Sequence, residues 1–297
     1  MIAAEVGAAL PADLSGLSNA ELLKLENRIA RKYAGRVPWE AVVWAFGNMA
    51  VWLSLWPLVF LGLLPLWLGF IIATVNMTLV YLPTHEAQHD QIARKGQQLR
   101  WLNELVGHAT TWMIVYPFNV LRVTHLDHHR HTNDAERDCD ITSQADGPWW
   151  AIWQTIRQRQ PNGKRMQDYL ASLMRNNRPD LVALAIVYRL GYIAILAALA
   201  WSGHALEAFA LWWLPQFLGM TYILFFLSWA PHHPMSGTGR YTNTRSWKSK
   251  VGNVGTMGMQ YHIVHHLHPY IPLSQTPAAY REMKPILRAR GCDLGSN

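Results

Sequence analysis

Cysteine and charge are what this chain has least of. Its 297 residues include two cysteines, Cys139 and Cys292, and 15% charged side chains. Two thiols so far apart make neither a disulfide framework nor a Cys-x-x-Cys metal site, and they cannot hold an iron–sulfur cluster. A Gly-x-Gly-x-x-Gly turn between a strand and a helix is also missing, which argues against a built-in dinucleotide fold. The first fifteen residues lack the basic start and apolar core of a secretory signal. There is no internal repeat and no low-complexity tract.

What is plentiful is apolar surface and histidine. Hydrophobic residues make up 51% of the chain, with 15 Trp and 14 His. Tryptophan favours the membrane–water interface, where an apolar ring with one polar N–H is well placed. The histidines are grouped as His85-Glu86-Ala87-Gln88-His89, His125-Leu126-Asp127-His128-His129 and His262-Ile263-Val264-His265-His266. Residues three and four apart share a helix face, so each cluster presents its imidazoles in one direction. Eight such rings exceed what one tetrahedral zinc can take. They suit two transition metals with open positions, and the ligand type leaves the metal's identity open.

Long uncharged runs separate the clusters. Ala41 to Phe60 and Leu66 to Pro83 contain no formal charge, with Leu61–Pro65 between them. A bilayer core needs about 20 apolar residues per helix, so these runs predict a transmembrane hairpin. A second hairpin is predicted from Leu181–Trp201 and Ala205–Ala230, interrupted by Arg189 and Glu207. Arg189 is costly in lipid unless it snorkels or pairs, which allows a later start for that span. Residues 105–123 read as a re-entrant or interfacial helix broken by Pro117. Residues 149–178, rich in Trp and Arg, read as a membrane-surface segment. Ser18 and Glu21 form a capping-box pattern ahead of an amphipathic helix, which either lies on an anionic membrane or packs on the protein.

The net charge of +7 follows this topology. Neither outer turn, Leu61–Pro65 nor Ser202–His204, contains Lys or Arg. The positive-inside rule makes the opposite side, with all three clusters, cytoplasmic. The charge then reports membrane orientation, and nucleic acid is not an expected partner. The expected fold is all-α: four transmembrane helices in two hairpins, with a cytoplasmic helical cap over the histidine site. Residues 1–38 form an N-terminal cytoplasmic segment, 39–275 the membrane domain and 276–297 a cytoplasmic tail.

His85-Glu86-Ala87-Gln88-His89 also matches the zinc-protease pattern H-E-x-x-H. A protease needs one further ligand and leaves two clusters unexplained. A metal-ion transporter would carry its histidines within the spans. The order H-x3-H, H-x2-H-H, H-x2-H-H instead resembles the integral-membrane fatty acid desaturase family, which includes carotenoid hydroxylases and ketolases. The resemblance covers about Trp39 to Pro269 and includes His131-Thr132-Asn133, Glu136 to Asp140, and Tyr261 to Pro269.

That resemblance implies a non-haem di-iron centre using O2 and two electrons on a lipid C–H bond. Its expected ligands are His85, His89, His125, His128, His129, His262, His265 and His266, with a ninth histidine about thirty residues before the last cluster. His232 or His233 holds that place, with His233 preferred; some relatives carry Asn four residues earlier, where this chain has Ser228 or Trp229. His131 and His268 rank below these as ligands or supports. Glu86, Asp90, Asp127, Asp138 and Asp140 are candidates to hold the far ring nitrogens; Asp138 and Asp140 could equally be surface carboxylates paired with Arg130 and Arg137. The expected reaction is desaturation or hydroxylation of a membrane lipid's acyl chain, with carotenoid ring hydroxylation or ketolation as the alternative. Having no redox cofactor motif of its own, the chain needs a separate electron donor of ferredoxin, rubredoxin or cytochrome b5 type with its reductase. An acidic donor would suit the basic face.

Overall fold

A computed structural model describes residues 11, 13–160 and 162–295. Expectations for residues 1–10, the secretory-signal reading among them, lie outside the described residues. Among those described, the regular structure is helical, with no strand. Helix α1 (Asn19–Tyr33) begins at the capping box: the Glu21 N–H donates to Ser18 Oγ (3.3 Å) and the Ser18 N–H to the Glu21 carboxylate (2.8 Å). Of the two readings of this helix, packing on the protein is the one observed. Leu22, Ile29 and Ala30 are buried with Ile263, Met283 and Ile286, the last two on the C-terminal helix α11 (Thr276–Ala289).

Four helices are long and apolar enough to cross a membrane: α2 (Trp39–Phe60), α3 (Leu66–Gln88), α8 (Asp180–Trp201) and α9 (Ala205–Trp229). Between them lie α4 (Arg100–Met113), α5 (Phe118–His131), α6 (Pro148–Gln158) and α7 (Lys164–Arg175), and a short α10 (His262–Leu267) precedes α11. Helix α3 has 23 residues, about 34 Å at 1.5 Å per residue, so its last turn emerges from lipid carrying the first histidine cluster. Helix α9 packs tightly on α3 because Gly219 has no side chain: a Cβ there would lie 2.8 Å from Met77 Cβ. Two wide turns, Phe209–Trp213 and Phe225–Trp229, interrupt α9; such turns often mark functional sites. Helix α8 starts at Asp180, and Arg189 is exposed on its flank.

Pro117 breaks the 105–123 segment as expected, ending up as the residue before α5. Its turn is held from the fourth span: Trp212 Nε1 donates to Met113 O (2.9 Å) and Gln216 Nε2 to Ile114 O (3.0 Å). Trp212 lies well inside α9, and Trp112 meets Trp52 of the first span at 5.6 Å. The turn therefore packs against residues well inside the first and fourth spans. In the 149–178 segment, Trp149, Trp150 and Trp153 are exposed. Its basic run differs from expectation. Arg159 stacks over Phe217 at 4.4 Å, Arg165 is buried on Asp140, and Arg175 reaches Asp127.

Candidate metal centre

The three clusters come from distant elements and meet under the spans. His85 and His89 sit at the end of α3, His125, His128 and His129 in the last two turns of α5, and His262, His265 and His266 on α10. Helical spacing aims each set one way, and the packing of α3, α5 and α10 aims the sets at each other. One nitrogen each from His85, His89, His125, His129 and His265 falls within a sphere where all lie within 4.8 Å of one another. His128, His232 and His266 form a second such group, and His262 Nε2 lies 3.2 Å from His232 Nε2.

These nitrogens face each other in a way that neutral rings alone do not satisfy. Nε2 atoms meet Nε2 atoms at 2.9 Å (His89–His125), 3.1 Å (His265–His129) and 3.2 Å (His129–His125). A neutral imidazole has one donor and one acceptor nitrogen, so several lone pairs are left pointing at a shared centre. Both nitrogens of His85, Nδ1 of His262 and His265, and Nε2 of His266 are buried without a protein partner. Burial pushes the pKa values of His89, His125, His129, His262, His265 and His266 well below the usual range, and neighbouring histidines add to this. His232 is driven down to about 3, chiefly by burial. Neutral, desolvated, convergent imidazoles are the donor set of a transition metal, and the two groups suit a metal site of more than one ion.

His128 is the exception in charge. Burial opposes its protonation, but the Asp138 carboxylate beside it carries its pKa up to about 9. His128 Nδ1 donates to Asp138 Oδ1 (2.8 Å), which leaves Nε2 for the centre. Asp138 is fixed in turn by the backbone N–H groups of Asn133 (2.8 Å) and Asp140 (2.9 Å). This is the carboxylate–histidine arrangement that sets ring tautomer at metal sites. Asp138 and Asp140 do not pair with Arg130 and Arg137.

The remaining candidates are placed as follows. The ring that joins the centre from Pro231-His232-His233 is His232, whose Nδ1 donates to Asn243 O (3.2 Å). His233, preferred from sequence, instead stacks on Trp229 at 4.8 Å, because adjacent residues leave a helix end in different directions. His131 turns back to Asp127 (Nδ1 to Oδ1, 3.2 Å), and His268 lies beside Glu26; neither faces the centre. Asp127 also accepts from Ser172 Oγ (2.6 Å) and Arg175 (2.7 Å), so it ties α5 to α7. Asp90 pairs with Arg100 and Arg122, and Asp140 with Arg165. Glu86 points away, its carboxylate accepting the Leu273 N–H (2.7 Å). A protease base must face the metal-bound water, so the H-E-x-x-H reading fails on geometry.

Sequence reasoning missed Glu26, and it read Arg165 only as part of a basic run. Each meets its partner across a long stretch of chain, so no local spacing marked them.

The profile of the family described as fatty acid desaturase matches residues 51–294. The sn-1 oleoyl-lipid 12-desaturase of a Picosynechococcus species is 37% identical over 76 residues, 26% of this chain and 20% of that protein. Beta-carotene 4-ketolase 3 of Haematococcus lacustris is 25% identical over 223 residues, 71% of this chain and 61% of its own. The endoplasmic-reticulum omega-3 fatty acid desaturase of Nicotiana tabacum is 21% identical over 240 residues, 70% and 62% of the two chains. The chain thus spans about a fifth of the cyanobacterial relative and under two thirds of the longer matches. With the profile running from the first span to beyond the third cluster, and a metal centre built from those clusters, this chain belongs to the fatty acid desaturase family.

Proposed function

We propose that this chain is a membrane oxidoreductase with a non-haem di-iron centre that uses O2 and two electrons to desaturate or hydroxylate a fatty acyl chain. The observation that carries this reading is the convergence of nine imidazoles from the second span, α5, the end of the fourth span and α10 into two adjoining groups. His85, His89, His125, His129 and His265 would hold one ion, and His128, His232, His262 and His266 the other. Iron bound there supplies reduction of O2 and attack on an unactivated C–H bond. The chain's own residues do the rest. Asp138 and the Asn243 carbonyl fix the tautomers of His128 and His232.

Whether one hydrogen or two leave the chain depends on how the reacting methylene is seated, and a displacement of about an ångström is enough to change rates heavily. The outer turns, free of Lys and Arg, support a cytoplasmic centre. It is reached by a separate ferredoxin, rubredoxin or cytochrome b5 type donor with its reductase. A second reading, carotenoid ring ketolation or hydroxylation, is favoured by the Haematococcus ketolase match over 71% of the chain. Expression with a donor in cells that make both lipids and carotenoids tests the two together. New acyl double bonds or hydroxyls support the first reading and oxygenated carotenoids the second. A metal-replete protein that changes neither pool overturns both.

A further inference from the structure

Two arginines stand beside the third and fourth spans with no carboxylate to balance them. Arg159 caps the end of α6, which packs on α9. Its guanidinium lies over the Phe217 ring at 4.4 Å, with Nη1 donating to Phe217 O (3.1 Å) and Nη2 to Thr221 Oγ1 (2.7 Å). Both acceptors are neutral, so the group is held but its charge is not offset.

Arg189 comes from α8. Tyr192 meets Trp212 at 4.9 Å, which fixes the register of the antiparallel pair α8 and α9. One turn from that contact toward the histidine side stand Arg189 on α8 and Gln216 on α9, next to the residue whose carbonyl holds Arg159. The two guanidiniums are near enough that Arg189, like Arg165, repels the charge on Arg159. Arg165 has Asp140; among the described residues neither Arg159 nor Arg189 has a carboxylate. Arg189 is exposed among Ile186, Val187, Leu190 and Ile193, which are exposed too. A cation on such a face is costly unless an anion or water reaches it. Trp149, Trp150 and Trp153, exposed on α6, suit the level of lipid headgroups, which puts a phosphate within reach. Neither arginine lines the cavities beside His125, His232 or His266, which sets them apart from the metal centre.

We propose that Arg189 grips, and Arg159 attracts, the phosphate of an anionic phospholipid headgroup in the leaflet on the histidine side, a lipid that is bound and not oxidised. Two unbalanced positive charges favour a headgroup of net negative charge over a zwitterionic one. The proposal stands whatever the metal centre oxidises.

Lipid retention tests it without turnover. The purified full chain in detergent is equilibrated with equal amounts of dioleoyl phosphatidylglycerol and dioleoyl phosphatidylcholine, gel-filtered, and its retained lipids measured by mass spectrometry. The native protein should retain phosphatidylglycerol in excess. Arg189→Gln should lower the ratio about 5-fold, the factor for one arginine near a membrane surface, and Arg189→Lys should keep most of it. An even ratio in the native protein, or an unchanged ratio in Arg189→Gln, overturns the proposal. Displacement of the phosphatidylglycerol by millimolar inorganic phosphate would assign the site to a free anion and overturn the lipid. Should Arg189→Gln fail to fold, phosphatidylglycerol with a headgroup diazirine is photolysed on the native protein. Label within residues 153–160 or 185–192 that excess phosphatidylglycerol removes, and phosphatidylcholine does not, supports the site; its absence there overturns it.

Discussion

Glu26, on the N-terminal helix, lies 2.9 Å from His268 just past the third histidine cluster, and both side chains are buried. Tyr241 Oη (2.9 Å) and Arg240 Nη2 (3.2 Å) donate to the same carboxylate. The helix is therefore bolted to the far end of α10. Removing one member of such a network strands the others, so Glu26→Ala should cost about 3 kcal/mol, read as a lower unfolding temperature in detergent. Burial works to raise the Glu26 pKa, but His268, Tyr241 and Arg240 together hold it below its usual 4.5. A depressed folded-state value gives stability that is present above the unfolded pKa and lost as pH falls through the folded one. The melting gap between the native protein and Glu26→Gln should be widest near neutral pH and close in acid. A gap independent of pH would refute the charged network.

Asp138→Asn isolates what the carboxylate does for His128. The Asp140 N–H donates to Oδ1 and the Asn133 N–H to Oδ2, so the amide keeps one of these acceptors and gives up the other, and the unfolding temperature of the variant checks that the loop stays folded. The variant should hold metal about 10- to 100-fold more weakly, measured by titration with a chelator. Unchanged affinity would reduce Asp138 to a loop anchor.

His232 and His233 separate cleanly by substitution. His232→Ala removes a ring whose Nε2 lies 3.2 Å from His262 Nε2, and metal content per chain should drop. His233→Ala removes a ring stacked on Trp229, and metal content should hold. The reverse result would reinstate His233 as the ninth ligand.

That pair also shows where sequence stops being informative. The clusters were legible because three- and four-residue spacing fixes a helix face whatever the fold, and the spans because lipid demands length and apolarity. Pro117 was legible because a missing N–H and a ring clash disfavour a helix interior, although Pro57 and Pro285 are accommodated inside α2 and α11. Between two neighbouring histidines nothing local differs; the choice is made by how the wide turn Phe225–Trp229 rotates the end of α9. Arg165 looked like its basic neighbours because Asp140, which draws it inward, belongs to another segment. Contacts made across the fold are absent from any short window of sequence.

Gly219 offers a test of the packing that brings the first cluster and His232 together. Helices α3 and α9 touch where a Cβ at Gly219 would lie 2.8 Å from Met77 Cβ and 3.0 Å from Met77 backbone carbon. Backbone cannot swing aside as a long side chain can, so Gly219→Ala must part the helices. Overpacking of this kind costs about 1–3 kcal/mol. The shift passes down α3 to His85 and His89 and down α9 to His232, so both ion positions should feel it. Expected together are a lower unfolding temperature and incomplete metal loading, by calorimetry and elemental analysis. A control at Gly47, whose added Cβ meets nothing within 4 Å, should change neither. If Gly219→Ala melted lower yet kept a full metal complement, the centre would be held by α5 and α10 without help from the register of the spans.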